Sequence, residues 1–366
     1  MGAPIDRSKQ TTDTCASVSR PSEGRSTLKR PFPRTRFPTT TTELVPEEWR
    51  YASIVNEPMP PLVRRVQQVL ETVLVGKPEA IDRVLVGVLA HGHVLLEDVP
   101  GVGKTTLAKA LSRALALSFS RVQFTPDLLP SDILGSPVLS PQDGTITFRP
   151  GPIFTQLLLA DELNRASPRT QSALLEAMNE GQVTVDGLTH PLPNPFLVIA
   201  TQNPGDASGT YPLPEAQLDR FLLRFSIGYP STEDELKMMA DRKVKDPLDA
   251  VEAIATVEEL LIAQEQVRDV SMKDELSKYV LALVAASRTH ADVEQGVSPR
   301  GSLALSRATQ AEAYLRGRTY ATPDDVHRVA EAVLAHRLRL APAARFGGVT
   351  ASAIVKEILA RVPVPV

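Results

Sequence analysis

Apolar positions along the chain follow the period of a helix and then that of a strand. Valine and leucine recur every three or four positions over residues 61–73, which places them on one face of a helix. The pattern breaks at residues 76–78, and a second helix is predicted over residues 79–90. A short apolar run at residues 93–96 predicts a strand that leads into a glycine-rich turn. The helix predicted after this turn carries four leucines on its apolar side, Leu107, Leu111, Leu115 and Leu117.

Further short apolar runs alternate with helical segments downstream. The runs that predict strands lie at residues 121–124, 156–160, 196–201 and 221–227. This alternation is typical of a mostly parallel sheet with helices on both faces. Two segments interrupt it: residues 144–148 alternate like an edge strand of a hairpin, and residues 183–187 contain the Asp-Gly pair of a tight hairpin turn. The sequence therefore predicts an α/β fold over residues 59–230.

After Pro230 the pattern indicates helices alone. A hydroxyl residue followed three positions later by an acidic residue is typical of a helix start. Such pairs are Ser231 with Asp234, Thr256 with Glu259, and Ser271 with Asp274. Thr322, followed by Pro323 and two aspartates, also predicts a helix start. A small helical domain is therefore predicted over residues 231–362, joined to the α/β domain by the short segment at residues 229–230.

Residues 1–58 differ in composition from the rest of the chain. Pro, Ser, Thr and Arg dominate there, and nothing repeats at helical or strand spacing. Such a segment cannot bury enough apolar surface to fold, so a disordered tail is predicted. The alternative is that part of this segment is not translated and that Met59 is the true start.

Charge and cysteine content narrow the classes of function. The formal net charge of −3 gives no global basic field of the kind that attracts nucleic acid. The single cysteine, Cys15, excludes an internal disulfide and a zinc site built from cysteines. No apolar run approaches the roughly 18–20 residues of a membrane span, and the start lacks the apolar core of a secretory signal. The predicted location is the cytoplasm.

The glycine-rich turn after the first strand carries the strongest chemical signal. Between a strand and a helix, glycines let backbone N–H groups face phosphates, and the helix adds its positive end. We expect Lys104 to reach the β- and γ-phosphates of a nucleotide and the Thr105 hydroxyl to bind Mg²⁺. Asp98 stands where the generic phosphate-loop pattern has glycine. The predicted nucleotide-binding residues are Pro100, Gly101, Val102, Gly103, Lys104, Thr105 and Thr106.

Paired carboxylates end the apolar run at residues 156–160. Asp161 is expected to hold the hydrated Mg²⁺, and Glu162 is expected to polarise the attacking water. Buried strands often end in acidic residues at the surface, so the pair alone is a weak signal. It becomes a strong one because it follows a phosphate loop.

Two further polar residues extend the predicted site. Asn203 ends another strand and could orient the water or contact the γ-phosphate, although Asn before Pro is also a common turn signal. Arg300 lies near a helix start, where a positive charge is unfavourable to the helix itself. A partner phosphate is therefore favoured over simple solvation of Arg300.

An arginine precedes the last strand of the predicted sheet. An arginine at this position can project into the nucleotide of a neighbouring subunit and stabilise transition-state charge, and Arg220 is the candidate for this arginine-finger role. Arg220 could instead pair with Asp219 or with another surface acid. Arg165 and Arg224 compete with it for the role.

Taken in order, these elements resemble the AAA+ superfamily and, more narrowly, the MoxR family. Asp98 fits the MoxR pattern although it departs from the generic phosphate loop. The resemblance covers about residues 60–362 and leaves only the tail outside it. The matching segments are residues 96–105, 161–166, 171–178, 201–204, 213–220 and 320–326.

The resemblance implies a ring-forming ATPase, usually hexameric, with ATP bound between adjacent subunits. It assigns Asn203 to the sensor-1 position, Arg300 to sensor 2 and Arg220 to the finger. Residues 127–150 and 181–193 match insertions that remodel contacts around the pore. MoxR proteins act as chaperones in maturation or metal insertion, often with a von Willebrand factor A domain partner, which here would be a separate polypeptide.

Three hypotheses of function follow from these residues. The leading one is an ATP-driven chaperone that remodels partner proteins, with the client unidentified. A nucleic-acid motor is the alternative from another class, but it needs a basic hairpin facing the pore, and residues 181–193 contain no Lys or Arg. A nucleotide-gated scaffold that barely hydrolyses ATP is the third, and the carboxylates Asp161 and Glu162 together with Arg220 argue against it.

Overall fold

The protein is described by a computed structural model over residues 59–139, 141, 144–203, 209–241 and 247–365. The predicted disordered tail, residues 1–58, lies outside the described residues. Within those described ranges, no helix is both long enough and apolar enough to cross a membrane.

Five parallel strands form the central sheet, which confirms the predicted α/β fold. In chain order they are β1 (Val94–Glu97), β2 (Phe119–Gln123), β5 (Leu157–Asp161), β8 (Leu197–Gln202) and β9 (Leu223–Phe225). Their order across the sheet is β2-β5-β8-β1-β9, and each pairing is parallel. Because parallel strands end at the same edge of a sheet, the residues that follow β1, β5 and β8 meet at that edge.

Two antiparallel hairpins interrupt the alternation of strands and helices, where the sequence pattern indicated them. Their strands are β3 (Gly135–Leu139) with β4 (Ile146–Pro150), and β6 (Gln182–Val185) with β7 (Leu188–Pro191). Asp186 and Gly187 have φ values of +50° and +78°, as the tight two-residue turn requires. The rings of Phe148 and His190 stack with centroids 4.0 Å apart, so the two hairpins contact each other.

Helices accompany the strands of the α/β part. They are α1 (Pro61–Val73), α2 (Pro78–Leu89), α3 (Lys104–Ala114), α4 (Pro130–Leu134), α5 (Pro168–Glu180) and α6 (Glu215–Leu218), with a 3-10 turn at Leu163–Arg165. Helix α3 is shorter than its leucine pattern predicted, because Ala116 adopts a φ of +52° and turns the chain after Leu115. Leu115 and Leu117 are nevertheless buried, so the pattern identified the core correctly and the helix end wrongly.

The C-terminal part is mostly helical. Its helices are α7 (Thr232–Asp241), α8 (Val257–Arg268), α9 (Asp274–Arg288), α10 (Pro299–Leu315), α11 (Pro323–Leu334), α12 (Pro342–Phe346) and α13 (Ala351–Arg361), with 3-10 turns at Pro247–Ala250 and Ala335–Arg337. The prediction of helices alone is wrong in one place, since β10 (Val293–Gln295) pairs antiparallel with β11 (Arg339–Leu340). These strands are too short to show a period in the sequence.

Most of the predicted helix starts of the C-terminal part are confirmed. Backbone N–H groups bond to side-chain oxygens in the pairs Asp234 with Ser231 (3.2 Å), Glu259 with Thr256 (3.3 Å) and Thr322 with Asp325 (2.8 Å). The start at Ser271 is wrong, because α9 begins at Asp274 without a side-chain cap. The backbone of Ser271 instead bonds to the carbonyl of Thr319 and to the N–H of Ala321.

Two clusters of buried apolar residues lie on opposite faces of the sheet. Val94 and Leu96 belong to one cluster and Leu95 to the other, because successive side chains of a strand point to opposite faces. The first cluster also includes Ile358 of α13. The apolar core therefore runs across the domain boundary expected at residue 230, and that boundary stays a prediction.

A buried arginine joins the C-terminal part to the end of the α/β part. Arg337 Nε donates to Asp219 Oδ1 at 2.7 Å, and its Nη2 donates to the carbonyl of Phe221 at 2.6 Å. Burial lowers the pKa of Arg337 to about 10, against the opposing effect of Asp219, so the guanidinium is charged at neutral pH. This ion pair holds the stretch that contains Arg220.

We expect Leu111→Ala to lower the free energy of unfolding by about 2–5 kcal/mol, because this side chain is fully buried and its truncation leaves a cavity. Leu303→Ala is the matched control, since this helical leucine is 62% exposed. Its truncation should change stability by no more than about 0.5 kcal/mol. Urea unfolding followed by circular dichroism measures both, and equal midpoints would contradict the burial of Leu111.

Stability should fall as the pH drops below about 6.5, in part through His336. Burial, and then the neighbouring Arg337, lower the pKa of His336 well below its usual value. The unfolded chain takes up this proton at the ordinary pKa, so the folded state loses up to about 1.4 kcal/mol for each pH unit below it, until the folded pKa is reached. His336→Gln should give a shallower decline of unfolding free energy between about pH 7.5 and 5. An unchanged slope would contradict this contribution.

Candidate active site

A cavity of about 900 Å³ opens at the edge of the sheet where β1, β5 and β8 end. All the predicted nucleotide-binding residues, 100–106, line this cavity together with Asp161, Glu162 and Asn203. Among the described residues that line it, neither Arg220 nor Arg300 is found. The structure thus brings most of the predicted site residues together and places the two arginines elsewhere.

The phosphate loop connects β1 to α3 through two glycines in the left-handed region. Gly101 has φ +89° and Gly103 has φ +95°, conformations that L side chains rarely adopt. A Cβ on Gly103 would also lie 3.0 Å from Leu74 Cδ1. The first-turn N–H groups of any helix lack an intrahelical acceptor, and helix α3, which begins at Lys104, has no side-chain cap to replace it. Such N–H groups at a helix start beside a cavity are suited to binding an anion.

The loop lysine is held by the loop itself. Lys104 Nζ donates to the backbone carbonyl of Asp98 at 2.7 Å. Partial burial lowers the pKa of Lys104, while the nearby carboxylates of Asp98, Asp161 and Glu162 act in the opposite direction. The carboxylates favour the charged ammonium form of Lys104, which is the form that attracts an anionic phosphate.

Asp161 ends β5 with both carboxylate oxygens engaged. Its Oδ1 accepts from the Thr201 hydroxyl at 2.6 Å, and its Oδ2 accepts from Arg121 Nη2 at 2.7 Å. The carboxylate is thereby fixed at the cavity. Asp161 and the Thr105 hydroxyl are oxygen donors of the kind that Mg²⁺ prefers, and Mg²⁺ takes few protein ligands beside water and phosphate. These two residues fit such an ion.

Glu162 adopts a backbone conformation that is unusual for a residue with a side chain. Its φ of +57° lies in the left-handed region, and its N–H donates to Thr201 Oγ1 at 2.9 Å. The carboxylate accepts from Gln123 Nε2 at 2.7 Å and pairs with Arg165 Nε at 3.0 Å. Residues held in this region often mark functional sites, because the surrounding structure has to enforce the conformation.

Asn203 follows β8 and lines the cavity as predicted. Its backbone carbonyl accepts from Asn164 Nδ2 at 3.4 Å. Three residues that hold the two carboxylates were missed by the sequence reasoning, namely Arg121, Gln123 and Thr201. Their spacing along the chain gave no signal, because they act from strands that only the fold brings beside β5.

The second wall of the cavity was also missed. It consists of mostly apolar side chains from the chain between α1 and α2 and from α7. Lys77 Nζ donates to the carbonyl of Tyr229 at 2.5 Å and so joins these two parts. An apolar wall opposite a phosphate loop is suited to the base of a nucleotide. The residues of this wall are Val73, Leu74, Val75, Lys77, Tyr229, Pro230, Glu235, Met238 and Met239.

The structure narrows the choice of finger arginine. Arg165 pairs with Glu162 and Arg224 bonds to Glu97 at 2.8 Å, so both are engaged within their own chain. Asp219, the suggested partner of Arg220, is bonded to Arg337 instead. Within the described parts of the chain, the Arg220 side chain has no ion pair.

Arg300 is exposed on the second residue of α10 and donates to Asn179 Oδ1. Ser298, two residues before Arg300, donates from its hydroxyl to Asp219 Oδ2 at 3.1 Å. Arg300 and Arg220 therefore lie in the same region of the molecule, and this region is not the cavity of their own chain. The sequence placed both arginines at a phosphate but did not indicate that they are neighbours.

Two family descriptions match separate parts of the chain. Residues 93–223 match "ATPase family associated with various cellular activities (AAA)", and residues 285–358 match "AAA lid domain". The first match contains the phosphate loop, Asp161, Glu162, Asn203 and Arg220. The second contains Arg300.

Similar proteins agree with these matches. The chain is 48% identical to the protein YeaC of Bacillus subtilis (strain 168), over 85% of this chain and 97% of the relative. It is 41% identical to Chaperone MoxR1 of Mycobacterium tuberculosis, over 81% of this chain and 80% of the relative. The crystal structure of a protein from Cytophaga hutchinsonii matches with a TM-score of 0.78 and 36% identity over 87% of this chain and 99% of that one. The chain thus binds nucleotide and hydrolyses ATP, and it belongs to the MoxR family of AAA+ ATPases.

Proposed function

We propose that this chain is a subunit of a ring-forming chaperone whose ATP sites are completed by the neighbouring subunit. The observation that carries the proposal is the separation of Arg220 and Arg300 from the cavity of the phosphate loop. A guanidinium that stabilises transition-state charge has to reach the phosphates. In a head-to-tail ring, the arginines of one subunit face the cavity of the next.

The chemistry within one subunit follows from the cavity. The loop N–H groups and Lys104 bind the phosphates. Thr105 and Asp161 would hold Mg²⁺, which would supply charge neutralisation at the phosphates when bound. Glu162 accepts a proton from the attacking water, and Asn203 orients that water. The one group that this cavity does not provide is a positive charge placed beside the γ-phosphate to stabilise the transition state. In this proposal an arginine of the neighbouring subunit supplies it.

Arg300 acts in this proposal on the neighbour's nucleotide and not on that of its own chain. The hydrogen bond from Ser298 to Asp219 ties its helix start to the stretch that carries Arg220. The two arginines therefore approach one phosphate group together. The assignment of Arg300 to sensor 2 came from the family resemblance and stays a prediction.

The exposed side chains of the hairpins favour a protein client. Leu139, Ile146 and Leu188 are 61%, 72% and 65% exposed. Leu139 and Ile146 lie opposite each other in the β3–β4 pairing, and adjoining apolar side chains on a surface favour contacts with other proteins. The hairpin of β6 and β7 contains no Lys or Arg. Binding to the phosphates of a nucleic acid needs such cations, so a nucleic-acid motor is not favoured.

The finer features of the proposal rest on family membership. The relative MoxR1 is named a chaperone, which supports remodelling or maturation of partner proteins. A ring of six subunits and a partner with a von Willebrand factor A domain are proposed on the same basis. Metal insertion stays a prediction of the resemblance, since no contact among the described residues favours it.

Glu162→Gln should keep ATP binding and lower turnover by at least about 100-fold, because the amide cannot accept the proton of the water. Glu275→Gln, on the exposed surface of α9, is the matched control and should hydrolyse ATP at the rate of the natural chain. Binding of a fluorescent ATP analogue and release of phosphate measure the two properties. Normal turnover by Glu162→Gln would remove Glu162 from this role.

Mixing two inactive variants tests whether the site is shared. Arg220→Ala should lower turnover by about 10³-fold or more, as loss of an arginine finger does. In an equal mixture with Glu162→Gln, about one quarter of the sites combine an intact Glu162 with an intact Arg220 from the neighbour, so turnover should recover. Arg361→Ala, an exposed arginine of α13, is the control and should behave as the natural chain.

The same mixture made with Arg300→Ala separates the two possible positions of Arg300. If Arg300 acts on the neighbour's nucleotide, mixing with Glu162→Gln restores turnover. If it acts within its own subunit, the mixture stays inactive. Light scattering shows in each case whether the mixed ring has formed, and a formed ring without recovery for Arg220→Ala would contradict the shared site.

A further inference from the structure

Asp98, the residue that departs from the generic phosphate loop, is bonded to a distant stretch of chain. It is 5% exposed. Its carboxylate accepts from the Ser226 hydroxyl at 2.7 Å, from the Ile227 N–H at 2.5 Å and from the Gly228 N–H at 3.2 Å. The three donors belong to residues 226–230, here called the hinge segment, which leads from β9 to α7. A glycine at position 98 would make none of these bonds.

The backbone of Asp98 contacts two further parts of the site. Its N–H donates to the carbonyl of Gln202 at 3.2 Å, which continues the pairing of β1 with β8 up to the start of the phosphate loop. Its carbonyl accepts from Lys104 Nζ at 2.7 Å. One residue therefore contacts the end of β8, the phosphate-binding lysine and the hinge segment.

The hinge segment forms part of the apolar wall of the cavity. Tyr229 and Pro230 line the cavity, and α7, which follows at once, contributes Met238 and Met239. Asp98 thus connects the phosphate loop to the part of the opposite wall that the hinge segment and α7 form. The three bonds to this carboxylate are a direct connection between the two walls.

We infer that Asp98 is a positioning residue that aligns the base-side wall of the cavity with the phosphate loop. Hydrogen bonds to an ionised carboxylate are about twice as strong as neutral ones, and three of them converge here. Without this acceptor the buried N–H of Ile227 loses its partner, which opposes the present path of the hinge segment. Asp98 acts within one subunit, so the inference does not rest on the proposed ring.

The base and the phosphates of a nucleotide are expected to contact different parts of the cavity. The phosphate loop binds phosphates through its own N–H groups and Lys104, whereas the base needs the wall that Asp98 positions. Substitution of Asp98 should therefore weaken a ligand that has a base more than one that has phosphates alone. ADP and inorganic pyrophosphate differ in this respect, and neither is consumed by the hydrolysis reaction.

The test compares Asp98→Asn with the natural chain by calorimetric titration of both ligands in Mg²⁺. The asparagine keeps the size of the side chain but turns one acceptor oxygen into a donor that faces the hinge N–H groups. We expect the Kd for ADP to rise about tenfold. The Kd for pyrophosphate should not rise, because the substitution removes a negative charge near Lys104 and leaves the loop N–H groups in place. Hydrogen exchange at Ile227 and Gly228 should become faster.

Two further variants provide a milder change of the same contact and a control outside the cavity. Ser226→Ala removes a single donor and leaves the carboxylate, so it should shift ADP binding in the same direction by a smaller factor, even if Asp98→Asn fails to fold. Asp132→Asn is the matched control, because its carboxylate also accepts a backbone N–H, that of Leu129, outside the cavity. Equal losses for ADP and pyrophosphate, or no loss for either in folded Asp98 and Ser226 variants, would overturn the inference.

Discussion

Parallel pairing of the central strands is the constraint on which the nucleotide site depends. Glu97 lies opposite Gln202, and Gln123 lies opposite Asp161, so the strand ends carry their polar residues to one edge in a fixed register. A slip of one residue would turn every side chain of a strand to the other face. The buried apolar residues on both faces of the sheet oppose such a slip, and the core therefore preserves the chemistry at its edge.

A single buried hydroxyl then organises the two acids. Thr201 is fully buried, donates to the carboxylate of Asp161 and accepts the N–H of Glu162. Arg121 and Gln123 hold the same two acids from the other neighbouring strand. Side chains supported from both sides keep one geometry before the nucleotide arrives, which is what catalysis by charge and position requires. Because the carboxylate of Asp161 and that of Glu162 have different partners, the two acids can differ in role although they are adjacent in the chain.

Features set by neighbouring residues in the sequence could be predicted, whereas contacts between distant parts of the chain could not. The phosphate loop and the two acids could be identified because glycine spacing and an apolar strand end carry their own chemical meaning. The partners of the acids could not, since Thr201 lies 40 residues from Asp161 and only strand pairing joins them. The same reason explains the missed pairing of β10 with β11 and the unexpected place of Arg300 beside Asn179. The predicted cytoplasmic location and the tail are untouched by the structure.

The two outermost strands of the sheet share one arrangement of charge. Arg121 of β2 bonds to Asp161, and Arg224 of β9 bonds to Glu97, in each case an acid on the next strand inward. Charged side chains on short outer strands hinder the addition of another strand from a second molecule. The pairing of either outer strand with a strand of another copy is therefore disfavoured, so the two charged edges protect the sheet that carries the nucleotide site.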